Sequence, residues 1–145
     1  MSYGQDLMKK YIDLMSPLKY IENYRPEWLY GMELDFYFPK QKIAIEFNGD
    51  QHYVHTEFGE HEAQAKRDFI KKQICKERGI WLRVFDASDL EYTRLRGRCG
   101  AIFKKASVKN PLTVSKLRKL NKECVSYRKL LIEKWDSPTA HRHKS

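Results

Sequence analysis

The chain lacks an apolar run of membrane-spanning length, and its opening MSYGQDLMKK has none of the apolar stretch of a secretory signal. The expectation is a soluble, cytoplasmic protein with no membrane partner. Cysteine is scarce. Cys75, Cys99 and Cys124 are odd in number, far apart and free of any CxxC pair, so neither a disulfide framework nor a cysteine zinc site is supported. Buried, reduced thiols are expected instead. No internal repeat is visible. Acidic residues are short in one region only: residues 92–145 hold 3 Asp+Glu against 15 Lys+Arg, a net of +12, whereas residues 1–91 hold 16 against 13, a net of −3. An acidic body with a basic C-terminal third points to a polyanionic partner, nucleic acid being the commonest inside cells. The 145 residues, 41% hydrophobic and 13% aromatic, suit one folded core rather than a disordered chain.

The most informative stretch is ELDFYFPKQKIAIEFNGDQHY, from Glu33 to Tyr53. Alternating apolar and polar residues over Glu33–Phe38 and Lys42–Phe47 flank a Pro-Lys-Gln turn, which predicts a β-hairpin. Leu34, Phe36, Phe38, Ile43, Ile45 and Phe47 then share a core face. The other face carries Glu33, Asp35, Glu46 and Asn48. With Lys40 and Gln41 as the loop, Pro39 pairs with Lys42 and Asp35 lies opposite Glu46. With Pro39 and Lys40 as the turn, Glu46 faces Glu33 and Asp35 is diagonal. Either register gathers three carboxylates where Cβ atoms are only about 5 Å apart and like charges repel. A bound divalent cation is the obvious offset, since Mg²⁺ is commonly held by one or two carboxylates together with substrate phosphates.

Elsewhere, Leu7, Met8, Tyr11, Ile12 and Met15 predict a helix over residues 5–15, ended by Pro17. Lys19–Arg25 reads as a strand, with Glu22 an exposed carboxylate at its end. After Phe47 comes a loop-like segment with His52 and His55; with His61 these match no common zinc spacing. A helix over residues 61–78 is expected to bury Ala63, Ile70 and Ile74, leaving Asp68 and Lys72 as an ion pair on a solvated face. Gly79 caps it, and Ile80–Phe85 reads as a buried strand. A short helix near Ala87–Leu95 should give way to an exposed turn, RLRGRCG. Asn110-Pro111 then opens a long helix packed through Leu117, Leu120, Cys124, Tyr127, Leu131 and Trp135. Candidate phosphate-binding residues are Arg94, Arg96 and Arg98 of the turn and Lys116, Arg118, Lys119 and Lys122 of the helix, whose flank also carries Arg128 and Lys129. The expected division is a core over 1–90, a basic helical extension over 91–135, and a disordered tail over 136–145.

The αβββαβ order implies an α/β (α+β) fold with helices packed on a mixed sheet. Phosphodiester hydrolysis needs charge neutralisation at the phosphate, an activated water and a group to position it. Asp35 and Glu46 suit the first need, and Gln51 or His52 the last.

At this point the residues resemble a family. D-x(10)-E within a hairpin in this element order looks like the PD-(D/E)XK, restriction-endonuclease-like fold. IEFNGDQHY, followed by a helix containing RDFIKK and a strand WLRVF, is similar to the branch containing very-short-patch repair (Vsr-like) endonucleases and the EDxHD homing endonucleases of phages. The resemblance covers roughly residues 5–86. It implies a Mg²⁺-dependent endonuclease acting on double-stranded DNA, with Mn²⁺ able to substitute and with Asp35 and Glu46 as metal ligands. His52 would be the general acid or base, and Asp68 matches the branch's late acidic residue. Asn48 stands where the usual E-x-K motif has its lysine, so Gln51, His52 or a lysine of the following helix must take that role. The expected protein is a free-standing homing endonuclease, in the host cytoplasm if phage-encoded, with a homodimer among its possible assemblies. A mismatch-repair nicking enzyme, a junction resolvase, an inactive DNA-binding module and a metal-stabilised structural protein are the alternatives.

Overall fold

A computed structural model describes residues 2–48, 60–100, 102–103 and 111–136. Its elements are α1 (Tyr3–Met15), β1 (Ile21–Tyr24), β2 (Leu34–Phe38), β3 (Ile43–Phe47), α2 (Glu60–Glu77), β4 (Trp81–Phe85), α3 (Tyr92–Gly100) and α4 (Pro111–Asp136), with single 3₁₀ turns at Glu27–Leu29 and Ala87–Asp89. The class is mixed α+β, with one four-stranded sheet in the order β1-β2-β3-β4. β1 to β3 are antiparallel neighbours. β4 runs parallel to β3: Trp81 N–H donates to Lys42 O at 2.9 Å, and Asn48 N–H donates to Phe85 O at 2.8 Å, so both strands advance together. Among the described residues, no helix is long and apolar enough to cross a membrane.

Of the two hairpin registers, the first is observed. Phe36 pairs with Ile45, Tyr37 with Ala44 and Phe38 with Ile43. One step further along the same register, Asp35 stands opposite Glu46. Phe36, Phe38 and Ile45 are fully buried, as their alternation predicts, and Tyr20 packs its ring on both phenylalanines. The opposite face is not merely a polar one. All five residues of β3 are buried, because that face carries apolar packing as well.

Contacts divide the chain into two compact units, Met1–Leu18 with Phe47–His55 and Phe85–Ser145, and Lys19–Glu46 with Thr56–Val84. In the second unit Leu29, Leu34, Ala44, Cys75 and Ile80 form a buried cluster, flanked by Tyr24, Trp28, Tyr37 and Ile74. Cys75 and Ile74 belong to α2, so this helix covers the Tyr37–Ala44 side of the hairpin. α2 ends in a Schellman cap. Gly79 takes φ +71 while Ile80 N–H reaches Cys75 O at 2.8 Å and Gly79 N–H reaches Lys76 O at 3.1 Å. In the first unit α1 packs on α4; Leu7, Met8, Tyr11 and Ile12 are buried on the one helix and Leu117, Leu120, Cys124 and Leu131 on the other. Ser2 caps α1 by accepting from Gln5 N–H at 3.1 Å. Gly4 has no side chain for a steric reason: a Cβ there would collide with the Phe47 ring.

Three expectations need correction. RLRGRCG is not a turn but most of α3, with Leu95 and Cys99 buried, since one leucine and one cysteine four apart supply a helical seam. Asp136 ends α4 rather than opening the tail. The predicted stripe of α2 is out of phase. Ala63 is exposed and Ile70 is 48% exposed, whereas Gln64, Asp68, Lys71, Ile74 and Cys75 make the inward stripe. Residues 137–145, the tail proper, lie outside the described residues.

Candidate active site

The site lies in the second unit, where the hairpin's polar positions meet the inward stripe of α2. Asp35 and Glu46 are brought together by strand alternation and register. Glu46 is buried at 8% exposure, and α2 is what covers it. From that helix the Lys71 ammonium donates to Glu46 Oε1 at 2.9 Å and to the main-chain carbonyl of Glu33 at 2.6 Å. The Lys71 and Glu46 side chains are only 14% and 10% exposed, so this is a largely dehydrated ion pair.

Asp68, three residues before Lys71, is the third carboxylate of the cluster. It is not paired with Lys72 on a solvated face; Gln64 Nε2 donates to its Oδ1 at 2.8 Å, and Arg67 donates to Gln64 Oε1 at 2.9 Å. Glu33, the residue expected to join Asp35 and Glu46, turns its carboxylate instead to Arg25 at 2.8 Å and lends the site only its carbonyl. Glu22 stands opposite Phe36, at a position on the other sheet face. Gln51 and His52, with His55, lie outside the described residues.

These neighbours compete over one proton. Burial pushes the Glu46 carboxyl up from its ordinary value to about 7; the Lys71 charge opposes this, while the charges of Asp35 and Asp68 add to it. The Lys71 ammonium thus outweighs the repulsion from the two neighbouring carboxylates, and it is burial that leaves the Glu46 carboxyl raised. Three carboxylates face one lysine. The donor set fits a hard divalent cation held by Asp35 and Glu46 and completed by water and phosphate oxygens. Among the described residues no three His, Cys, Asp or Glu side chains are arranged to enclose a metal unaided.

The basic residues of the first unit divide. Arg98 donates to buried Asp89 at 2.8 Å and lies over the Phe85 ring, 4.1 Å from its centroid, so its charge is spent within the fold. Arg94 reaches the same carboxylate at 3.5 Å but is 54% exposed. Arg96 is exposed. On α4, Arg118, Lys119, Lys116 and Lys122 are all exposed. Lys116 and Lys119 line an open groove of about 330 Å³ with Lys10 and Leu14 of α1, beside Asp13 and Glu123.

Lys71 is the lysine of the following helix that the sequence alone leaves unspecified. A signal was present: Asp68 and Lys71 sit one turn apart, and a helix crossing over an acidic strand position is better served by a cation there than by Ile70. Gln64 carried no such signal.

No family model and no solved structure matches the chain. Two viral proteins are similar over part of it. Uncharacterized protein 307L of Invertebrate iridescent virus 6 is 33% identical over 58 residues, covering 37% of this chain and 29% of that protein. Uncharacterized protein 033L of Invertebrate iridescent virus 3 is 28% identical over 78 residues, covering 46% and 40%. The chain thus spans well under half the length of these curated relatives.

Proposed function

We propose that the protein is a metal-dependent DNA endonuclease of restriction-endonuclease-like fold, related to the very-short-patch repair and phage homing enzymes. The observation that carries this reading is the reach of Lys71 from α2 to Glu46 Oε1 at 2.9 Å, opposite Asp35 and beside Asp68. It supplies, from the following helix, the lysine that the hairpin lacks at Asn48. The αβββαβ order and the parallel β3–β4 pair are what that fold requires.

Asp35 and Glu46 would hold Mg²⁺ or Mn²⁺, which when bound neutralises charge on the phosphate and acidifies water. Asp68, fixed by Gln64, adds negative charge that holds the ammonium of Lys71 at the patch. Lys71 supplies positive charge beside the scissile phosphate. The exposed lysines of α4, with Arg94 and Arg96, supply sequence-independent affinity for the duplex backbone.

Plasmid cleavage with Mg²⁺, against the same reaction with EDTA, tests the reading: metal-dependent nicks or double-strand breaks are expected. A second reading, an inactive DNA-binding module, is favoured by the same ion pair, because Lys71 already neutralises Glu46 without a metal. Retardation of DNA in gels with no cleavage under any divalent ion would establish that reading in place of the first.

A further inference from the structure

Lys71 holds Oε1 of Glu46, one of the two oxygens that a metal could take. A divalent cation on the same carboxylate would bring a second positive charge close to the Lys71 ammonium, and in a site where both side chains are largely dehydrated such like charges repel. The ammonium also has a second anchor. Its bond to Glu33 O at 2.6 Å is to a main-chain carbonyl, which keeps its place whatever happens to the carboxylates. An ammonium has three N–H donors, and two are spent here.

Resting on the metal-dependent reading above, we propose that Lys71 and the divalent cation exchange at Glu46. In the metal-free protein Lys71 is the internal counter-cation of the patch. When the metal arrives, Lys71 releases Glu46, remains tethered to Glu33 O, and gains a free donor for the substrate phosphate or the attacking water. Metal loading and arming of the lysine are then one event. An ordinary structural ion pair would make the opposite demand, since losing the lysine would only disorder the metal ligands.

The test is Mn²⁺ binding to the full chain without DNA, measured by calorimetry, with melting temperature recorded alongside. Lys71→Met removes the competitor, so Mn²⁺ should bind about tenfold or more tightly than to the wild type, as when a binding-competent state is no longer rarely populated. The metal-free variant should melt earlier, and saturating Mn²⁺ should raise its melting temperature more than it raises that of the wild type. Lys71→Gln, which keeps donors for both oxygens without the charge, should show the same gain and serves if the methionine variant does not fold. Lys71→Arg keeps the charge and should stay near wild-type affinity. Unchanged or weaker Mn²⁺ binding in both neutral variants overturns the exchange, as does absence of binding in every protein. Failure of the nuclease reading is seen separately, as wild type that binds Mn²⁺ but leaves plasmid intact.

Discussion

Among the described residues two carboxylates are buried, Glu46 in one unit and Asp89 in the other, and their surroundings differ in kind. Asp89 is 4% exposed and accepts from Arg98, from Arg94 and from the main-chain N–H of Asp86 at 3.0 Å, within a reciprocal capping box that closes the turn after β4. Two arginines face one carboxylate. Glu46 has one lysine beside two further carboxylates, and burial pushes its carboxyl up to about 7. A carboxylate satisfied by its arginines organises a corner of the fold, whereas one that burial raises toward neutrality costs stability whenever it is ionised.

The strongest way to break that distinction is to neutralise each side. Asp35→Asn and Glu46→Gln should each abolish plasmid cleavage while the protein still folds and retards DNA. Asp35→Asn relieves repulsion and Glu46→Gln removes a buried charge, so the melting temperature of each should be unchanged or slightly higher. Wild-type cleavage in either variant removes the patch from the mechanism. His52→Ala, next in size, should slow single-turnover cleavage by about 10² to 10⁴ without weakening Mg²⁺ binding. Early melting with normal cleavage by the folded fraction would make that histidine structural.

Asp89→Ala should do the converse. It strands Arg98 and the Asp86 N–H, and because both arginines retain some water contact the loss should be about 1–3 kcal/mol rather than the larger cost of a fully dehydrated pair. Urea unfolding measures it, and the folded fraction should cleave normally. A cleavage defect at wild-type stability would place Asp89 with Glu46 rather than against it.

A smaller effect follows from the Glu46 proton. Its value in the unfolded chain is near 4.5 and in the folded protein about 7, so between these pH values the folded state keeps a proton that the unfolded state has released. Stability of the metal-free protein must therefore fall as pH rises through that window and level off above it. At about 1.4 kcal/mol per unit the whole contribution is about 3 kcal/mol at most. Denaturation midpoints in chelator at pH 5 and pH 8 should differ in that direction, and Glu46→Gln should flatten the difference. A stability that rises over the same interval in the wild type alone would mean that Lys71 overcompensates Glu46.

The strands, their register alternatives and the Asp35–Glu46 pair were legible because a two-residue period leaves few choices and Pro39 marks the turn. α2 was misread for a physical reason. Its inward stripe is polar in its first half, where it covers charges, and apolar only at Ile74 and Cys75, so an apolar stripe drawn through Ile70 turns Asp68 outward. α3 was missed because Gly97 and Gly100 suggested a turn, while burial of Leu95 and Cys99 and the hold of Asp89 on Arg98 override that weak propensity. Sequence alone offered no way to see that one arginine of this segment is spent on a neighbouring acid.

The same sorting of basic residues carries the last prediction. Arg98 is committed to Asp89, so DNA affinity should rest on side chains that hold no ion pair among the described residues, with Lys116, Lys119 and Lys122 of α4 the densest set. Changing all three to Glu should leave α4 helical, since Lys and Glu have similar helix propensity, although Asp13 and Glu123 beside the groove add modest repulsion. If each lysine meets a phosphate, the slope of log affinity against log salt should fall by about 0.9 per residue, about 2.7 in all. Cleavage at saturating protein should persist, because the carboxylate patch belongs to the other unit. Arg98→Gln in the same assay should leave the slope unchanged and lower stability instead. An unchanged slope in the triple variant would mean that α4 faces away from the duplex, and Arg94 and Arg96 would then be the next pair to reverse.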